Sequence, residues 1–241
     1  MDLEISINSK KVPVTISDSD IWALARKVEC QNLSPLTTFR KIAHDETVDF
    51  IKKNIDLEKI MMFECGEDNL VYSVKKAEAQ GLFLEFGVFE GKSVNKIAKL
   101  KPQTLIFGFD SFEGLPEDWS GHSAPKGHFK TEIPEVEDNV TLIKGYFDRT
   151  LPKFLSENRE KISFMHIDCD LYSSTKTILE LTKDRLQEGT IIVFDEYFNY
   201  PNWKRGEYKA FKEFNDLYKG DFEYISIGHQ QVSVRIKSSY L

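Results

Sequence analysis

Cysteine is scarce in this sequence, long apolar runs are missing, and each shortage removes a class of protein. The three cysteines, Cys30, Cys65 and Cys169, have neither the number nor the spacing of a disulfide framework or a zinc site. They fit a reducing, cytoplasmic setting. No apolar stretch approaches the roughly 20 residues that a membrane span needs, so no membrane partner is expected. The start, Met1-Asp2-Leu3-Glu4, lacks the basic and apolar segments of a signal peptide. No run of Lys and Arg is long enough to track phosphates, and the net charge of -7, from 39 acidic and 32 basic residues, argues against nucleic acid as a partner. Internal repeats, low-complexity segments and the dinucleotide fingerprint G-x-G-x-x-G are also missing. What remains is a 241-residue chain of ordinary composition, long enough for one large α/β domain with added elements.

The chain starts with two period-two runs, residues 3–7 and 12–16, that predict a small hairpin. Ser17 or Asp18 then caps a short helix from Ile21 to Val28. Apolar residues at helical spacing predict a mainly helical stretch over 35–63, and a further helix over 69–80. From Gly81 the pattern alternates. Strands are expected at 82–86, 104–109, 140–143, 162–168 and 190–195, with helices such as 92–100 and 174–186 between them. Alternation of this kind predicts a parallel sheet covered on both faces. The last runs, Phe222 to Ile227 and Gln231 to Ile236, read as an antiparallel hairpin that closes the sheet. The expected class is therefore α/β: a Rossmann-like doubly wound sheet of the class I methyltransferase type with a C-terminal hairpin. A hairpin and helical extension, residues 1–64, precede the main domain, residues 65–241.

In such a sheet, ligands bind beyond the carboxyl ends of the strands. The first strand runs into Glu85-Phe86-Gly87-Val88-Phe89-Glu90-Gly91-Lys92-Ser93, a glycine-bracketed turn that opens a helix. Glycine lets backbone approach a ligand, and helix N-terminal amides receive an anionic group. The second strand ends at Asp110 and Ser111, where an acid suits ribose hydroxyls. The third ends at Gly145-Tyr146-Phe147-Asp148, near the expected adenine. The fourth and fifth end in Asp168-Cys169-Asp170 and Asp195-Glu196. Four carboxylates at neighbouring strand ends repel one another unless a cation gathers them, and oxygen-only ligands suit Mg²⁺ or another hard divalent ion. Asp170 alternatively suits a helix cap. His122 and His128 sit in a loop over the expected ligand, His166 reads as a core residue, and Tyr197, Tyr200 and Trp203 either stack on a sugar or pack beneath a loop.

Together, the stretches 84–93, 109–116, 145–152, 166–175, 194–197 and 206–211 resemble the macrocin O-methyltransferase (TylF/MycF-type) family of S-adenosylmethionine-dependent enzymes. The likeness covers about residues 65–237. It implies methylation of a hydroxyl, typically on a sugar of a natural product, with Mg²⁺ in the site and a homo-oligomeric enzyme. Carried over by position, Asp168 and Asp195 match metal ligands. Glu196 stands where relatives usually have Asp. Asp170 matches the general base. The residues expected to touch the donor are Glu85, Phe86, Gly87, Ser93, Asp110, Ser111, Gly145, Phe147 and Asp168. Three other readings compete: a catechol-type aromatic O-methyltransferase, an NAD-dependent oxidoreductase, and a non-catalytic S-adenosylmethionine-binding module.

Overall fold

The computed structural model describes residues 2–7, 10–15, 17, 19–23, 34–238 and 240, with side chains described from residue 17 onward. By its contacts the chain divides into two compact units, Met1–Ile42 and Ala43–Leu241.

In the smaller unit, β1 (Asp2–Ile7) and β2 (Lys10–Thr15) pair antiparallel, Asp2 opposite Thr15. The expected hairpin is therefore present. Ser17 opens the next helical turn. Its Oγ accepts the Asp20 N–H at 3.2 Å, and the Asp20 carboxylate accepts the Ser17 N–H at 3.0 Å. These reciprocal bonds form a capping box. Residues 19–23 are helical; Asp18 and the rest of the expected helix, 24–28, lie outside the described residues. The helix α1, Pro35–Asn54, begins in this unit and ends in the larger one.

The larger unit departs from expectation first after Asn54. The helical spacing seen in the sequence does not continue to residue 63. The chain leaves the helix, and β3 (Met61–Met62) joins the sheet edge beside the strand Asp221–Ile227. Strand pairing satisfies the backbone there, and the packing of Ile55 and Ile60 into the core overrides the local period. Next come α2 (Gly66–Lys76), β4 (Leu82–Phe86), α3 (Lys92–Leu100), β5 (Ile106–Asp110), β6 (Val140–Lys144), α4 (Phe147–Glu157) and β7 (Ile162–Ile167). The chain closes with α5 (Tyr172–Thr182), β8 (Ile191–Phe194), α6 (Glu207–Tyr218), β9 (Asp221–Ile227) and β10 (Val232–Ser238).

The eight-stranded sheet has the order β3-β9-β10-β8-β7-β4-β5-β6. β4, β5, β6, β7 and β8 are parallel, while β10 inserts antiparallel between β8 and β9. This is the class I methyltransferase arrangement. The chain order reverses on either side of β4 and β7, so their carboxyl ends flank the switch point. β4 shows why the strand ends are rigid. All five of its residues are buried. Phe83 packs with Val74, Val94 and Ile97 on one face; Leu84 and Phe86 pack with Leu151, Ile178 and Phe194 on the other. Each such side chain contributes roughly 1.5–3 kcal/mol through burial.

Candidate active site

The carboxyl ends of the strands open on one cavity of about 610 Å³. Gly87, Asp110, Ser111, Gly145, Phe147, Asp168, Asp170 and Glu196 all line it, as the strand-end reading expects.

Gly87 is required by backbone crowding. It has φ 95°, and a Cβ there would lie 1.7 Å from the Asp168 carbonyl oxygen. The β4 turn can therefore touch the β7 end only without a side chain. Asp110 locks the same turn. Its Oδ2 accepts the N–H groups of Val88 and Phe89, both at 2.8 Å, and its Oδ1 accepts the Phe112 N–H at 2.7 Å. One carboxylate thus ties the β4 turn to the β5 end and still lines the cavity. Aromatic residues Tyr146 and Phe147, on the β6 side, wall the far end.

At the other end the acids meet. Oxygens of Asp168, Asp195 and Glu196 lie within 4.8 Å of one another. Burial raises the Asp168 and Glu196 carboxyls well above the usual range, and repulsion from Asp195 adds to it. Burial acts the same way on Asp195, but the imidazole of His166 outweighs it and holds that carboxyl below its ordinary value. Glu196 Oε2 is buried with no partner. Oxygen-only donors, mutual repulsion and an orphaned carboxylate oxygen fit a hard divalent cation.

Asp170 faces the same space. It has φ 65° in a tight turn whose Leu171 N–H reaches the Cys169 carbonyl at 2.6 Å. The residue before α5 is Leu171, and no side chain caps that helix, so Asp170 is not a cap. A non-glycine residue in the left-handed region stores strain, which is common at functional sites. Burial, then Asp195 and Asp110, push its carboxyl up to about 7.

Several expected contacts lie elsewhere. Glu85 is fully buried, and its Oε1 is 2.9 Å from His166 Nδ1. Phe86 is fully buried and stacks on Phe109 at 5.0 Å. Ser93 sits in the first turn of α3, outside the cavity lining. Asp195 stands just behind the lining, between His166 and Gln231. Tyr197, Tyr200 and Trp203 are at most 2% exposed and pack beneath the loop after β8, the first and last against Phe50. They are not free to stack on a sugar. His122 stacks on Trp119 at 3.6 Å, and Trp119 lines the cavity. His128 lies against Phe129 at 4.4 Å. His166 is the buried core residue expected, although its two contacts are both acids.

Sequence reasoning missed Trp119, Arg149 and Glu207. Trp119 and Arg149 line the cavity from loop and helix positions with no strand-end signal. Glu207 opens α6, fully buried, and its Oε2 accepts the Glu196 N–H at 3.1 Å. A lone acid after glycine reads as an ordinary helix start, so only its full burial reveals it.

Comparisons with known proteins agree with this architecture. Residues 84–197 match a family model described as a methyltransferase domain. A relative from Streptomyces olivaceus, named as an 8-demethyl-8-(2,3-dimethoxy-alpha-L-rhamnosyl)-tetracenomycin-C 4'-O-methyltransferase, is 27% identical over 157 residues, 54% of this chain. The chain spans 59% of the length of that relative. The crystal structure of CalS11, a calicheamicin methyltransferase, superposes with a TM-score of 0.60 at 23% identity, covering 92% of this chain and 94% of that one. The O-methyltransferase NovP has a TM-score of 0.57 at 19% identity, covering 71% and 79%. Residues 84–197 thus match a methyltransferase-domain model, and the chain has the class I methyltransferase fold.

Proposed function

We propose that this chain is a metal-dependent O-methyltransferase that moves a methyl group from S-adenosylmethionine to a sugar hydroxyl of a natural product. The observation that carries the reading is the meeting, in one cavity, of the glycine turn at Gly87, the acids Asp168 and Glu196, with Asp195 against them just behind the lining, and the strained Asp170. The sugar comes from the tetracenomycin relative, whose name specifies a rhamnosyl substrate.

Asp168, Asp195 and Glu196 would hold Mg²⁺, and the Gly87 turn with Asp110, Ser111 and Phe147 would hold the donor. When bound, the donor supplies a methyl group already activated on sulfonium, and the cation lowers the cost of negative charge on the acceptor oxygen. The chain's own task is then alignment and proton removal. Holding the reactants in line is worth up to roughly 7–11 kcal/mol. Asp170 takes the hydroxyl proton; its burial raises its affinity for a proton above that of an ordinary carboxylate, which suits a general base.

The test offers methyl-labelled S-adenosylmethionine and Mg²⁺ with a panel of rhamnosides, other glycosides and catechols. Label on a glycoside is expected. Label on catechols alone would move the enzyme to the aromatic class, and no transfer to any hydroxyl would overturn the proposal.

A further inference from the structure

Glu85 was expected to touch the donor, but the structure gives it a different neighbour. Its Oε1 lies 2.9 Å from His166 Nδ1, and His166 Nε2 lies 3.6 Å from Asp195 Oδ1. The chain Glu85–His166–Asp195 crosses three adjacent strands: β4, β7 and the end of β8. Glu85 and His166 face each other in register across β4 and β7, as do His166 and Val193, two residues before Asp195, across β7 and β8. Glu85 and His166 are 0% and 1% exposed, so neither is placed for solvent. On the other side, Gln231 Nε2 donates to Asp195 Oδ2 at 3.3 Å. Asp195 is thus held at Oδ2 by Gln231 and faces the otherwise unpartnered Nε2 of His166 at Oδ1, within ion-pair range, while Asp168 and Glu196 approach within 4.8 Å.

A buried acid–imidazole pair carries a desolvation cost that its own attraction need not repay, so it is weakly explained by stability alone. Fixing an imidazole's orientation with a carboxylate, so that its other nitrogen orients a third group, is a recurring device around metal centres. We infer that Glu85 and His166 are positioning residues that hold Asp195 in the geometry needed to bind a divalent cation, and that Glu85 is not a donor contact. The inference rests on the metal reading of Asp195 and deepens it.

The test measures binding of Mn²⁺ alone by electron paramagnetic resonance, and binding of S-adenosylhomocysteine by calorimetry, with folding checked by near-ultraviolet circular dichroism. Glu85→Ala and His166→Asn, which breaks the link to Asp195, should each weaken Mn²⁺ binding at least tenfold and leave S-adenosylhomocysteine affinity within twofold. His166→Gln, whose longer arm extends toward Asp195, should stay within threefold of wild type for Mn²⁺. Either loss variant suffices if the other fails to fold. Unchanged Mn²⁺ affinity in the folded loss variants, or loss of S-adenosylhomocysteine binding on Glu85→Ala, would overturn the inference while leaving the metal site standing. Absence of Mn²⁺ binding in the wild type would overturn the metal reading, and this inference with it.

Discussion

Stripped of divalent cations, the protein should lose stability as pH rises from 5 to 8. Asp170 sets the scale. Burial, then Asp195 and Asp110, raise its carboxyl from 3.8 to about 7. The folded chain therefore keeps a proton that the unfolded chain releases near pH 4. The state that binds more protons is favoured by acid, so stability falls as pH climbs through the window between the two values. At 1.36 kcal/mol per unit the full effect is about 4 kcal/mol, of which about 3 kcal/mol falls between pH 5 and 8. Asp168, Glu196 and Glu207 are raised by burial and act in the same direction. For a chain of this length 1 kcal/mol corresponds to roughly 2–4 °C, so the Tm in EDTA should drop by about 6–12 °C across that range. Mg²⁺ favours the ionised carboxylates and should recover most of the loss at pH 8 but little at pH 5, where it competes with protons. Thermal melts at both pH values, with EDTA or Mg²⁺, read this directly. A Tm in EDTA that rises from pH 5 to 8, or a Mg²⁺ shift equal at both, would refute the reasoning.

Asp168→Ala and Asp195→Ala should abolish Mg²⁺-supported transfer while S-adenosylhomocysteine still binds by calorimetry. Asp170→Asn should lower kcat by about 10² or more, with both ligands retained, because a positioned base supplies that factor; normal turnover would remove the base assignment. Gly87→Ala should destabilise the fold by ~3 kcal/mol or more, since its Cβ would lie 1.7 Å from the Asp168 carbonyl oxygen at a φ of 95°. Urea unfolding should show a midpoint lower by about 1 M.

Much of the parallel sheet was legible because β4, β7 and β8 are short, mainly apolar runs bounded by turn residues, the pattern of strands buried on both faces. The terminal hairpin was legible from its period of two. The end of α1 was not. Ile55 and Ile60 keep a helical spacing, but they are buried in an irregular connection between α1 and β3. Within the site, strand-end position located Gly87, Asp110, Asp168, Asp170 and Glu196, because topology alone brings strand ends together. It did not foresee which side chains turn inward. Glu85 has the motif position of a ligand contact, yet pairing across β4 and β7 sets it beside His166. Trp119 and Glu207 depend on loop closure and helix docking, which no local pattern encodes.

The most direct measurement is methyl transfer to a rhamnoside in excess EDTA, followed by addition of Mg²⁺ to the same sample. Transfer should stop in the chelator and return with the ion, because Asp168, Asp195 and Glu196 repel one another without it. A rate unchanged by EDTA would contradict the metal centre on which the proposed mechanism depends.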